Sequence, residues 1–229
     1  MNWDATLGVA SVIAFTLPIV VIFYNRYYTH RSLAALLAYY AFILIDNLFG
    51  TIINSASVLG RVINYIDNYT NIPLILTALL FFCASKQRQG KVRMLTLIFI
   101  AYEIVIIAVS GFTLNSIIYI MGPGVGVVLL YSFYLFVRQI KFSIYHGKNH
   151  GRVLMLISIV FDFSCYGLIY FFQYIQKTPF QNDVFRLYYI SSIISSVLMA
   201  IGLHMMRVRM KELQSLKTTR KELALIFGH

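Results

Sequence analysis

Long apolar runs alternate with short polar connections along the whole chain, and this pattern predicts a helical membrane protein. Each run is close to the roughly 20 residues that an α-helix needs to cross a bilayer. Seven such runs can be placed. We therefore predict seven transmembrane helices, at about residues 5–24, 33–54, 65–85, 92–112, 116–137, 153–175 and 185–206.

The third run is the weakest of the seven. Its strictly apolar part, residues 72–84, is too short to cross a hydrocarbon core of about 30 Å. The span must therefore begin near Tyr65, which brings polar side chains into the outer edge of the membrane.

Composition agrees with the pattern. Of the 229 residues, 59% are hydrophobic and 12% are charged, whereas a soluble domain usually carries about twice that charged fraction. Seven spans use about 140 positions, so no second soluble domain is expected. The sequence predicts an all-α integral membrane protein, with residues 1–206 forming a seven-transmembrane-helix bundle and residues 207–229 a basic amphipathic tail.

The distribution of basic residues predicts the orientation. The connections 1–2, 3–4 and 5–6 and the tail together hold 16 of the 19 Lys and Arg residues, and the other side holds Arg61, Lys177 and Arg186. Basic segments stay in the cytoplasm, so the N-terminus is expected outside and the tail inside. Because the basic residues lie at the ends of apolar segments, the net charge of +11 does not indicate a nucleic-acid partner. The expected partner is the lipid bilayer, and the expected location is the cell membrane. The tail could also bind a cytoplasmic protein.

Three acidic residues fall inside the predicted spans. Asp46, Glu103 and Asp162 each lie on a span that runs outward from the cytoplasm. Their depths are roughly 14 to 20 Å at a rise of about 1.5 Å per residue, which is close to the midplane. Ionisable groups at this depth are costly and are functional candidates by default. No basic residue is predicted at the same depth.

Other polar residues follow helical spacing in the outer halves of the spans. This bias predicts an outward-facing polar cavity that binds a small ligand or ion, closed by apolar residues toward the cytoplasm. The simpler alternative is that these groups only hydrogen-bond neighbouring helices together. Beside the three acids, the candidate ligand residues are Asn47, Asn54, Asp67, Asn68, Asn71, Tyr166 and Gln173.

Pro123 stands between Gly122 and Gly124 in the fifth span. A proline removes one backbone hydrogen bond and is expected to break or kink the helix, and such breaks line substrate sites in transporters. An equally good interpretation is a packing kink, with close helix approach through Gly122 and Gly126.

Several classes of protein are disfavoured. A retinal Schiff base needs a lysine inside the bundle, and every lysine here lies in a predicted connection, at a span end or in the tail. No cofactor and no metal site is predicted, and the metalloprotease, P-loop and serine-hydrolase motifs are absent from the sequence. Cys83 and Cys165 lie in apolar segments and are interpreted as buried thiols.

Three functions remain open. The first is a transporter for a small solute, coupled to protons or cations through the intramembrane acids. The second is a seven-helix receptor or sensor that signals through its cytoplasmic face. The third is a membrane-embedded enzyme that acts on lipid with two carboxyls as acid and base; an enzyme is the least favoured of the three.

Overall fold

The computed structural model describes residues 3–52, 58–83, 85–146, 149–176 and 181–227, and all regular structure in these ranges is helical. The all-α prediction is thus confirmed. Within the described chain there are seven α-helices, which are α1 (Trp3–Tyr24), α2 (Arg31–Ile52), α3 (Val58–Leu79), α4 (Lys86–Ser110), α5 (Leu114–His146), α6 (His150–Tyr170) and α7 (Gln181–Phe227).

Six of these seven described helices are long and apolar enough to cross a membrane. The exception is α3, which carries Arg61, Asp67 and several asparagines over its 22 residues. Many large apolar side chains on the other helices face outward, such as Leu97 and Leu130 at 67% and 73% exposure. An apolar surface of this extent is typical of contact with lipid. The helices therefore have the character of a multi-pass membrane protein.

The helices pack into a ring that closes on itself. Along this ring α1 contacts α2, α2 contacts α3, α3 contacts α5, α5 contacts α6, α6 contacts α7, and α7 returns to α1. Helix α4 lies outside the ring and packs against α3 and α5. Because α3 is covered by α2, α4 and α5, Asp67 and Asn71 are buried in protein instead of facing lipid, where they would be costly. Arg61 and Asn64 are exposed.

Two glycines allow the closest contact in the ring, between α6 and α7. A Cβ atom on Gly151 would lie 2.6 Å from the carbonyl oxygen of Gly202, and one on Gly202 would lie 2.8 Å from that of Gly151. Both distances are too short for any side chain, so the two backbones touch directly. Small residues permit this kind of packing between membrane helices.

Several helices extend beyond the predicted spans. Helix α4 begins at Lys86 instead of 92, because the Ser85 side chain accepts a hydrogen bond from the backbone N–H of Arg88 (3.4 Å) and caps the helix. Helix α5 continues to His146 instead of 137. Helix α7 runs unbroken through the predicted tail to Phe227, which is one of the two arrangements that the near-helical spacing of Met210, Leu213 and Leu216 suggests. Apolar patterning marks only the part of a helix that lies in lipid, so the polar extensions of α4 and α5 are missed.

Helix α5 is continuous through Pro123, so the proline does not break it; a kink at this residue stays a prediction. Pro123 has no N–H to offer the carbonyl of Tyr119, four residues earlier. The Tyr102 hydroxyl of α4 donates to that carbonyl instead, at 2.8 Å. Next to it, the Tyr170 hydroxyl of α6 donates to the carbonyl of Ile118 at 3.1 Å. Neighbouring helices thus satisfy the backbone that the proline disturbs.

The glycines around Pro123 serve packing, although not through the predicted pair. A Cβ on Gly122 would lie 2.5 Å from the Tyr170 hydroxyl, and one on Gly124 would lie 2.8 Å from both Ile72 and Phe99. Gly126 has nothing within 4 Å of such an atom. The close approaches are therefore at Gly122 and Gly124.

Candidate functional site

A cavity of about 580 Å³ lies among α1, α2, α3, α6 and α7. It occupies the ends of these helices that lie away from the connections rich in Lys and Arg. Four of its lining residues, Val9, Asn64, Gln173 and Phe185, are exposed, so the cavity reaches the protein surface. Its described lining consists of Gly8, Val9, Asp46, Asn47, Asn64, Asp67, Asn68, Tyr166, Ile169, Gln173, Val184, Phe185, Tyr188 and Tyr189.

Six of the predicted ligand residues line this cavity together. They come from three different helices and one turn, and the sequence alone does not show that these elements place them around one cavity. Gln173 stands on a single π-helical turn, Phe171–Ile175, that continues α6; such turns are frequent at functional sites. The six are Asp46, Asn47, Asp67, Asn68, Tyr166 and Gln173.

Asp46 projects from α2 toward α3. The Asn64 amide donates to its two carboxyl oxygens at 3.4 and 3.5 Å, which are long and therefore weak hydrogen bonds. Asn64 is itself held by Asn68, whose amide donates to the Asn64 backbone carbonyl at 2.7 Å and to its side-chain oxygen at 3.2 Å. The Asp46 carboxyl therefore keeps much of its capacity to accept hydrogen bonds.

Asp67 is the second carboxyl in the cavity lining. It is 8% exposed, and it lies near enough to Asp46 for the two groups to interact electrostatically. Its Oδ1 atom is buried and has no hydrogen-bond partner among the described residues. A buried acceptor without a donor is costly, so Asp67 is the least satisfied polar group of the cavity wall.

Aromatic rings from α6 and α7 form the opposite wall. Tyr166 and Tyr188 meet edge to face with ring centroids 5.9 Å apart, and Tyr188 and Tyr189 lie 5.5 Å apart. The Asn47 amide donates to the Tyr188 hydroxyl at 2.9 Å, which fixes the position of that ring. The wall is therefore mostly aromatic, with one ring held by a hydrogen bond from α2.

Asp162 lies deeper and does not line the cavity. It accepts hydrogen bonds from the Tyr39 hydroxyl at 3.1 Å and from the Ser195 hydroxyl at 3.0 Å. These bonds tie α2, α6 and α7 together. Tyr166 and Tyr188, which line the cavity, each lie within electrostatic range of both Asp162 and Asp67.

The remaining predicted residues lie elsewhere. Glu103 is buried on α4, outside the ring, and its Oε1 atom has no hydrogen-bond partner in the described part of the chain. Asn71 is also buried, on α3, and is not part of the cavity lining. Asn54 falls outside the described residues. Of the three intramembrane acids, only Asp46 therefore contributes to the cavity.

Sequence patterning missed three of the lining residues that matter most: Phe185, Tyr188 and Tyr189. These aromatic residues stand in an apolar span, where they are indistinguishable from lipid-facing residues. Asn64 shares a helical face with Asn68 and Asn71 in the sequence, and it lines the cavity together with Asn68. A second cavity, of about 310 Å³, adjoins the first and shares Asp46 and Asn64 with it; Arg61 lines this smaller cavity.

Comparison of the chain with protein-family models, with curated proteins and with solved structures gives no match.

Proposed function

We propose that this chain is a small-solute transporter of the cell membrane, with seven spans, a cytoplasmic basic end and a cavity that faces outside. Its arrangement corresponds to the outward-facing state of an alternating-access cycle. Beside the six helices that are apolar enough to cross a membrane, the proposal takes α3 as the remaining span. Its 22 residues extend over about 33 Å at 1.5 Å per residue, enough for a hydrocarbon core of about 30 Å.

Contacts between the helix ends support this orientation. The Arg152 guanidinium at the start of α6 lies 4.8 Å from the centroid of the Phe81 ring, just after α3. The Arg207 guanidinium of α7 lies 4.6 Å from the centroid of the Tyr24 ring, at the end of α1. Segments rich in Lys and Arg therefore share one end of the bundle, which is the end expected in the cytoplasm.

The observation that carries the proposal is the asymmetry of the bundle interior. The cavity of about 580 Å³ lies toward one end, while the interior toward the basic end is packed. A binding site that is reached from one side and sealed on the other is what one state of a transporter requires. The seal consists of Leu36, Ile43, Met155, Leu156, Ile159, Met199 and Leu203, each 3% exposed or less.

Labelling of a single cysteine from both sides tests this proposal without knowledge of the solute. Asn68 lies midway along α3 and lines the cavity. In an alternating-access cycle, N68C reacts with a membrane-impermeant thiol reagent in intact cells and also in inside-out vesicles. The wild type is the background control, because Cys83 and Cys165 are both buried.

Two outcomes contradict parts of the proposal. Labelling of N68C from outside only excludes alternating access. The control D183C, at the exposed start of α7, is expected to react in intact cells only; reaction in inside-out vesicles instead means that the orientation is reversed.

A receptor is the second candidate, and α7 is the observation that favours it. This helix provides Val184, Phe185, Tyr188 and Tyr189 to the cavity wall and continues without interruption to Phe227. A ligand in the cavity would thus contact the same rigid element that emerges at the basic end. Outside-only labelling of N68C is the result that this candidate predicts.

A further inference from the structure

We propose that the solute bound by the cavity is a small organic cation, with an ammonium group at Asp46 and Asp67 and an apolar or aromatic body against the tyrosine wall. This inference rests on the proposed function, since it concerns the same cavity, and it adds the chemical class of the ligand.

The charge of the described lining is the first argument. Asp46 and Asp67 are its two carboxyl groups, and no Lys or Arg occurs among the described residues that line this cavity. Arg61 lines the smaller neighbouring cavity, as Asp46 also does. Asp67 therefore has no cationic neighbour among the described residues that line the larger cavity. Clefts lined by one sign of charge concentrate ligands of the opposite sign.

The hydrogen-bonding state of the two carboxyls is the second argument. Asp67 Oδ1 is buried without a donor within the described ranges, and Asp46 has only the long contacts from Asn64 at 3.4 and 3.5 Å. Asp67 therefore lacks a donor at Oδ1 among the described residues, and the donor to Asp46 is held only weakly. An ammonium group offers up to three N–H donors and a positive charge, and such charge-assisted bonds are the strong ones.

The aromatic wall is the third argument. The faces of tyrosine and phenylalanine rings attract cations, and Tyr166, Tyr188, Tyr189 and Phe185 all border the cavity. The same rings also provide apolar surface for the body of a ligand. The volume of about 580 Å³ lies within the range of about 300–1,000 Å³ that holds drug-sized molecules.

A bare metal ion fits the site less well. No group of three or more His, Cys, Asp or Glu side chains able to hold a metal occurs in the described part of the chain. The wide aromatic cavity also exceeds what an ion of atomic size would fill. An organic cation uses the carboxyls and the rings together.

Three probes with one skeleton and different head groups test the charge requirement. They are 2-phenylethylammonium, 2-phenylethanol and phenylacetate, titrated calorimetrically into the purified full-length chain in detergent. We expect saturable binding of the ammonium probe, at least tenfold tighter than that of the alcohol or the acid, because a hydrogen bond to a charged group contributes a factor of ten or more. Equal or tighter binding of either other probe, or no saturable binding of the ammonium probe, overturns the inference.

Variants then locate the ammonium group. D67N and D46N are expected to weaken binding of the ammonium probe at least tenfold, whereas D67E retains the charge and most of the affinity. D183N is the matched control, because Asp183 is exposed and pairs with Arg186 at 3.5 Å, outside the cavity lining. Unchanged affinity in both D67N and D46N places the cation elsewhere and contradicts the inference. Because cysteine labelling uses no ligand, failure of this test and failure of the transport proposal are distinguishable.

Discussion

Asp67 and Asp162 are buried to the same extent, each 8% exposed, yet their surroundings differ in one decisive respect. Asp162 accepts hydrogen bonds from Tyr39 and Ser195, whereas Asp67 has a buried oxygen without a partner among the described residues. The first carboxyl is satisfied by its own protein and joins three helices. The second retains an acceptor that no described residue uses. Burial alone therefore does not distinguish these two carboxyls, whereas their hydrogen-bond partners in the described chain do.

The largest expected effect on stability follows removal of the satisfied carboxyl. D162A leaves the Tyr39 and Ser195 hydroxyls buried without their acceptor, so we expect a loss of about 2 kcal/mol in the free energy of unfolding. Thermal or chemical unfolding of the purified protein in detergent measures this loss, with the exposed D183A as the control. A D162A variant as stable as the wild type, with cation binding abolished, reverses the assignment of the two acids.

An intermediate effect is expected at a satisfied backbone acceptor. Y102F removes the donor to the Tyr119 carbonyl and should cost about 1 kcal/mol of unfolding free energy. In a P123A background the restored backbone N–H can bond the same carbonyl, so the cost of Y102F should largely disappear. A double-mutant cycle by unfolding measures this coupling, and an equal cost in both backgrounds contradicts it.

The smallest effect on stability is expected at the unsatisfied carboxyl. D67N keeps the shape of the side chain and removes the charge, so the unfolding free energy should change by less than about 0.5 kcal/mol or should rise. The same unfolding experiment measures it. A loss as large as that of D162A means that Asp67 has structural partners, and the contrast between the two acids then fails.

The helical fold could be predicted because apolar periodicity and span length are local properties of the sequence. Helix α3 shows the limit of this reasoning. Its polar residues 61–71 lower the apolarity of the segment. Packing by α2, α4 and α5 buries Asp67 and Asn71, and no local pattern contains these contacts. The predicted start at residue 65 was therefore seven residues later than the observed start at Val58.

The sequence indicates how far along its helix each candidate residue lies, but not the direction in which its side chain faces. Counting residues along a helix gives the height of a side chain, and Asp46, Glu103 and Asp162 were assigned to one level in this way. Which way each side chain faces depends on the rotation of its helix and on its neighbours. Helix α4 lies outside the ring, so Glu103 could not reach the cavity whatever its depth. The tyrosines of α7 were missed because aromatic residues are equally common at lipid-facing positions.

The hydrogen bond between Tyr102 and the Tyr119 carbonyl also bears on the biosynthesis of the protein. Alone in lipid, α5 would expose one unpaired carbonyl above Pro123, at a cost of several kcal/mol. Helix α4 is synthesised before α5 and carries the hydroxyl that this carbonyl needs. The chain order thus delivers the donor to the membrane ahead of its acceptor, so the two helices can enter the bilayer as a pair.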